Sequence, residues 1–338
     1  LRTAGYHTAL IGKWNLGLTA PGLPNDRGFD FFHGFLDDMM DDYTTHLRQG
    51  RNYMRRNREV ITPTGHATDI FTTWARDYVR ERAAAKSPFF LYLAYNAPHF
   101  PMQPPAAWLA RVKARVPGID EKRALSVGLI EHFDDSVGQL LATLRETGLE
   151  QNTLVVLASD NGGSLAHAQN NDPWRDGKQS HYDGGLRIPF VVRWPGRVAA
   201  GSTSDYAGLT FDIFATALDV AGVARPAGMD AVSLLPALRG EPSPAEPREL
   251  YFVRREGGPA YGGKSYEAII RGDWKLLQNS PYDPLELYNL REDPQEKTNL
   301  FAKNQKVARE LQAALRVHVQ RGGATPWQPP ANPAPAGR

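Results

Sequence analysis

Residues 153–163 read Thr-Leu-Val-Val-Leu-Ala-Ser-Asp-Asn-Gly-Gly, and the order of chemistries in this stretch decides the fold. An apolar run this short, rich in β-branched residues and closed by turn formers, predicts a fully buried strand over Thr153–Ala158. The same reading applies to Phe89–Tyr95, bounded by Pro88 and Pro98, to Ile188–Arg193, and to the shorter Thr8–Ile11. Helical periodicity fills the spaces between them. One helix is expected from about Thr68 to Ala85. Another runs from Ala124 to Thr147, where Leu125, Leu129, Ile130, Phe133, Val137, Leu140 and Leu144 recur on one face and Gly148 supplies the stop. Strands apolar on both faces, alternating with helices, predict an α/β fold built on a mostly parallel, doubly wound sheet.

Beyond Arg239 the pattern changes. Glu241–Pro247 is proline-rich, and Leu250–Arg254, Tyr266–Arg271 and Trp274–Gln278 then alternate with turn residues ahead of a helix over Gln305–Arg321. Residues 1–240 are therefore expected to form the main domain and 241–324 a smaller α+β domain. The tail 325–338, with five prolines, is expected to be disordered.

Composition removes several classes of function. Among 338 residues, 39 Lys+Arg balance 37 Asp+Glu, which leaves no bulk charge to hold nucleic acid. No apolar run approaches a membrane span. There is no cysteine, so thiolate metal sites and thiol nucleophiles are excluded within these residues. Leu1–Ala4 reads as the last turn of a helix stopped by Gly5, which suggests that the sequence begins inside a longer protein.

Ligands of open α/β sheets bind outside the carboxyl ends of the strands. Those ends here carry Lys13-Trp14-Asn15, Asn96-Ala97-Pro98-His99 and Ser159-Asp160-Asn161, with Lys178 in a loop just ahead of the last strand. Asp160 and Asn161 offer adjacent oxygen donors, a set suited to a hard cation such as calcium rather than zinc. Asp-Asn-Gly-Gly is also an ordinary turn, but its place after a buried strand favours a site. Lys13 and Lys178 could clamp a tetrahedral oxyanion, and His99 could donate to it or move a proton near neutral pH. His132 is expected on a helix surface. Asp37, Asp38, Asp41 and Asp42 read as a solvated turn, and Arg48, Arg51, Arg55, Arg56 and Arg58 as a solvated hairpin that could alternatively hold an anionic polymer.

Taken together, five blocks resemble the type I, formylglycine-dependent sulfatases of the alkaline-phosphatase-like superfamily. They are LRTAGYHTALIGKWNLG (1–17), PFFLYLAYNAPHFP (88–101), SDNGG (159–163), GKQSHYDGGLRIPFVVRWPG (177–196) and LYNLREDPQEKTNL (287–300). The resemblance implies a large sulfatase domain with a smaller C-terminal one, and hydrolysis of the sulfuric ester of a sulfated small molecule or glycan. It implies calcium, with magnesium less favoured, held by Asp160 and Asn161 together with two aspartates nearer the amino terminus. Lys13, His99 and Lys178 would contact the sulfate or assist its release, all around one pocket. The attacking group would be a formylglycine made by a formylglycine-generating enzyme from a Cys/Ser-x-Pro-x-Arg motif. That motif does not occur in these residues, and Ser243-Pro244 has the wrong spacing. Asn15 stands where the family commonly has histidine, and an amide cannot shuttle a proton. A periplasmic or secreted location is the family habit. Two other readings remain: a phosphodiesterase or phosphonate hydrolase of the same superfamily, disfavoured by Asp-Asn where paired-zinc members show Asp-His, and a non-catalytic binder of sulfated glycans.

Overall fold

The computed structural model describes residues 1–242, 247–254 and 266–323. The expected tail at 325–338 and the Ser243-Pro244 pair lie outside these residues. In chain order the first elements are strands β1 (His7–Lys13), β2 (Phe31–Phe35), β3 (Leu47–Arg48), β4 (Arg51–Asn52), β5 (Met54–Arg56) and β6 (Glu59–Val60). Helix α1 (Ala67–Ala85), strand β7 (Phe89–Ala94), helices α2 (Ala106–Arg115) and α3 (Glu121–Glu146) and strand β8 (Val155–Ala158) come next. Then come the short α4 (Asp183–Leu186), β9 (Phe190–Arg193), α5 (Asp212–Val220) and α6 (Leu235–Leu238). Strands β10 (Glu249–Arg254), β11 (Tyr266–Arg271), β12 (Trp274–Gln278) and β13 (Glu286–Asn289) and helix α7 (Gln305–Gly323) complete the described fold. The chain divides into two compact units. One comprises 1–157, 166–169 and 190–242, and the other 158–165, 170–189 and 243–338.

The first unit is built on a five-stranded sheet of order β6-β5-β2-β1-β7. β1 runs parallel to both β2 and β7, while β5 and β6 are antiparallel, so the sheet is mixed at one side. The apolar residues of β1 alternate as a two-residue repeat demands. Ala9 and Ile11 join α1 residues Phe71, Ala75 and Tyr78 in one core, and Leu10 joins Trp14, Phe32 and Leu36 in another. Asp120 caps α3 by accepting the Arg123 amide at 3.0 Å, and the helix packs on α1 and α2.

Two expectations change. β7 is not fully buried: Phe89, Leu91 and Leu93 face the core, but Tyr92 on the other face is 51% exposed. Its neighbour among the described residues is β1 on one side only, and an apolar run cannot by itself say how many partners flank it. β8 and β9 pair with each other and are likewise half-buried, with Val191 57% exposed. β2, whose sequence Phe-Phe-His-Gly-Phe comes after a glycine- and proline-rich stretch, forms where the sequence pattern points to a polar loop.

The second unit carries the antiparallel sheet β10-β11-β12-β13. Its two faces are chemically distinct. Ile269, Leu276 and Leu287 pack against Ala308, Leu311 and Leu315 of α7. The opposite face bears Ala268, Leu277, Tyr288 and the aliphatic stem of Lys275, and is covered by Tyr182. Leu276→Ala should remove fully buried volume and destabilise this unit by about 2–5 kcal/mol. Val253→Ala, on an exposed position, should change stability by about 0.5 kcal/mol at most. Urea titrations of the two variants should therefore separate widely; similar midpoints would contradict the assigned core.

Candidate active site

In the first unit, register fixes what lies at the carboxyl edge. Gly12 sits opposite Gly34 on one side and Ala94 on the other, so β1 and β7 end side by side. Lys13 is the last residue of β1. Trp14 and Asn15 continue by donating their amides to Phe35 O at 2.9 Å and Leu36 O at 3.0 Å. Asn15 is exposed in a left-handed conformation, φ 56°, which asparagine tolerates better than most residues. His99 lies in the loop after β7, its Nδ1 2.7 Å from the Phe100 carbonyl. A carbonyl only accepts, so Nδ1 carries a proton and the ring's changeable nitrogen is Nε2. The His99 carbonyl accepts from the Tyr43 hydroxyl at 2.9 Å. Burial drives the Tyr43 phenol far upward, so it remains a donor.

The acidic loop after β2 is not a bare carboxylate cluster. Arg48 spans Asp38 and Asp41, each at 3.0 Å. Asp42 accepts from the Thr44 hydroxyl at 2.6 Å, from the Thr44 and Thr45 amides and from Gln103, which hold its carboxyl well below the usual range. Arg48 to Asn52 form the expected hairpin of β3 and β4.

His132 corrects an expectation. It is 3% exposed, because the helix face it occupies is covered by α1 and Trp108. Its Nε2 bonds Asp69 at 2.7 Å, and this bond is the main reason the Asp69 carboxyl sits below its ordinary value. With His66 these groups lie within 4.8 Å of one another, a spacing that could accept a metal. His66, however, already caps α1 by accepting the Thr68 amide and bonds the Gln103 carbonyl at 2.9 Å. His66 thus serves as a helix cap, and the buried His132 ring is hydrogen-bonded to the exposed Asp69 carboxylate.

In the second unit, Asp160, Asn161 and Lys178 are brought together by backbone. The Gly162 amide donates to Gly185 O at 3.0 Å and the Lys178 amide to Gly163 O at 2.9 Å. Asn171 brackets the same turn, accepting the Gly163 amide at 2.6 Å and donating to the Gly163 and Asp176 carbonyls. A Cβ on Gly162 would fall on the Gly184 carbonyl, and one on Gly184 or Gly185 on the carbonyls of Asp176 or Ser180. Only glycine permits so close an approach. The Asp160 carboxylate is exposed, and among the described residues neither it nor the Asn161 amide oxygen has a hydrogen-bond or ion-pair partner. Two uncommitted oxygens on one rigid turn fit a hard cation.

Sequence reasoning missed what stands behind this turn. Lys275, fully buried, bridges Asp183 at 2.8 Å and Glu296 at 2.7 Å. Arg175 lies over the Tyr182 ring and donates to the Glu296 carbonyl at 2.7 Å. A lysine amid Trp274-Lys275-Leu276-Leu277 is a visible anomaly in a strand, but its partners are distant in sequence.

An α/β core built on a mixed sheet, followed by an antiparallel sheet, is the arrangement of the alkaline-phosphatase-like fold. The chain belongs to the Sulfatase family, which it matches over residues 1–223. Residues 172–321 also match the N-sulphoglucosamine sulphohydrolase C-terminal family. It is 30% identical over 292 residues to N-acetylgalactosamine-6-sulfatase of Canis lupus familiaris, covering 81% of this chain and 52% of that protein. A sulfatase of Formosa agariphila is 29% identical over 362 residues, covering 90% and 65%. The crystal structure of Ps i-CgsB in complex with k-i-k-neocarrahexaose superposes with a TM-score of 0.84 at 29% identity, over 93% of this chain and 72% of that one. The chain thus spans about half the length of the N-acetylgalactosamine-6-sulfatase it matches. Among the described residues no helix is long and apolar enough to cross a membrane.

The turn also carries a pH dependence. His181 is stacked on Tyr266 and buried; burial, then Lys275 and Arg254, push its pKa from 6.5 to about 4. Between those values the unfolded chain binds a proton that the folded chain refuses. The contribution is thus complete above the unfolded pKa and is lost as pH falls toward the folded one, at about 1.4 kcal/mol per unit. His181→Phe keeps the ring stack and should flatten part of the stability loss between pH 7 and 4, read from urea midpoints. An unchanged acid limb would contradict this.

Proposed function

We propose that this chain is part of a carbohydrate sulfatase that hydrolyses sulfate esters. The observation that carries the reading is the pair of uncommitted oxygens on Asp160 and Asn161, held on a turn whose backbone is bonded to that of Lys178. Sequence similarity to N-acetylgalactosamine-6-sulfatase, and structural similarity to a protein crystallised with a neocarrahexaose, support a sulfated carbohydrate as the substrate class.

Asp160 and Asn161 would contribute two oxygen ligands to calcium, alongside carboxylates outside these residues. Calcium held there would supply positive charge to the sulfate oxygens, and a formylglycine, made by its generating enzyme, would supply the attacking oxygen. Lys178 would stabilise by charge the negative charge that builds on the sulfate in the transition state, the role that the resemblance also gives Lys13. His99 moves a proton at Nε2, its ring fixed by the Nδ1 bond to Phe100. Asn15 can orient the sulfate by hydrogen bonding but cannot exchange a proton with it.

The test uses the full-length protein, co-expressed with a formylglycine-generating enzyme and assayed on aryl sulfates and sulfated oligosaccharides. Lys178→Ala should lower kcat by about a hundredfold or more with the fold intact. Asp160→Ala should raise the calcium concentration required for activity. Parent-like kinetics in Lys178→Ala, or no sulfate release by the parent, would overturn the reading.

A further inference from the structure

The second unit contains one feature that its hydrophobic core does not require. Lys275, Asp183 and Glu296 are all buried, with Lys275 Nζ 2.8 Å from Asp183 Oδ1 and 2.7 Å from Glu296 Oε1. Glu296 Oε2 also accepts the Asp183 amide at 2.6 Å, so the side chain and backbone of Asp183 are gripped together. Arg187 completes the arrangement by donating to Asp183 Oδ2 at 2.6 Å. Two carboxylates meet two cations, and no charge is left over. Burying such a group gains little stability relative to apolar residues of the same size. Its contribution is to fix where Asp183 sits.

That position matters because Gly184 and Gly185 are the next two residues of the chain. Gly184 donates its amide to Arg175 O at 2.8 Å, and Gly185 accepts the Gly162 amide at 3.0 Å. Gly162 stands too close to the Gly184 carbonyl to carry a Cβ, and Gly184 too close to the Asp176 and Arg175 carbonyls. A shift of Asp183 therefore passes without slack into Gly184–Gly185 and from there into the 160–163 turn. It also reaches Lys178, whose amide is tied to Gly163 O at 2.9 Å. Lys275 itself is fixed by β12, between β11 and β13.

We infer that Asp183, Lys275 and Glu296 are positioning residues, by which the C-terminal sheet sets the turn carrying Asp160 and Asn161 and the loop carrying Lys178. The inference rests on the roles proposed for those three residues. The sheet face that is not covered by α7 acts as the rigid base for a site whose own ligands are short loops, as precise sites require.

Hydrogen exchange on the 338-residue chain tests this without any turnover. Asp183→Asn removes the anion that both Lys275 and Arg187 hold. The double variant Lys275→Met/Glu296→Gln keeps the buried charge balanced and retains an acceptor for the Asp183 amide. In both, peptides covering 158–165 and 175–186 should exchange at least about tenfold faster, while β11, β12 and α7 keep the protection of the parent. In the full-length protein the same variants should lower kcat with KM little changed, and Asp183→Glu should recover part of the loss. Unchanged exchange at 158–165 would overturn the inference. Equal loosening of the sheet, or failure of both variants to fold, would do the same, since the triad would then be holding the core. A parent protein that releases no sulfate would instead sink the sulfatase reading and leave the exchange result standing.

Discussion

The second unit depends on one contact between backbones, that of Gly162 with Gly184 and Gly185. Peptide planes packed at that distance leave no room for a side chain and no freedom for rigid-body adjustment. Each glycine loses more conformational entropy on folding than another residue would. Such a contact persists only if neighbouring interactions hold both strands of backbone in place. On one side Asn171 makes two hydrogen bonds to Gly163 and donates a third to the Asp176 carbonyl. On the other, the carboxylate and amide of Asp183 are held from the C-terminal sheet.

The electrostatics of the unit divide in the same way. Burial pushes the Glu296 carboxyl up against the pull of Lys275. It pushes on Asp183 too, but there Lys275 and Arg187 together prevail and hold the carboxyl low. Tyr182 and Tyr288 are both raised, first by burial and then by sharing Glu286, to which their hydroxyls donate at 2.7 and 2.6 Å. Behind the turn, Lys275, Asp183, Glu286 and Glu296 each have a charged or hydroxyl partner. The Asp160 carboxylate and the Asn161 amide oxygen, on the turn itself, have none among the described residues. Two adjacent oxygens left uncommitted on a turn whose backbone is so closely bracketed are available to a ligand from outside the chain.

How much of this the sequence disclosed depends on the range of each interaction. β1, β7, β8, the long α1 and α3 and the C-terminal strands β10, β11 and β12 were legible because their signals, apolar runs and helical periodicity, lie within a dozen or so residues, whereas β13 was not read as a strand. Lys13, Asn15, His99, Asp160, Asn161 and Lys178 stand as candidates because they lie at or near strand ends, where α/β sheets place their ligands. What stayed hidden was pairing across distance. His132 looked like a surface residue until Asp69 and Trp108 were seen to enclose it. Burial of β7 on one face only was invisible, since Phe89–Ala94 reads alike whether one neighbour or two flank it. Asp183 lies 92 residues ahead of Lys275 and 113 ahead of Glu296, and no local pattern connects them.

The order of the chain adds a last constraint. Residues 158–165 and 170–189 lie in sequence within the sulfatase-matching region, yet they belong structurally to the unit that contains the C-terminal sheet. The two family matches overlap over 172–223, which includes Lys178 and Asp183. A C-terminal sheet that only capped a finished domain would need apolar contacts and little else. Here it presents a buried lysine to a loop read from the earlier part of the chain, and the lysine's two carboxylate partners come from both sides of that junction. Asp183 precedes the sheet and Glu296 comes after it. Charge pairing of this kind is directional where apolar packing is not, so it specifies one seating of the loop among the many that would bury the same area.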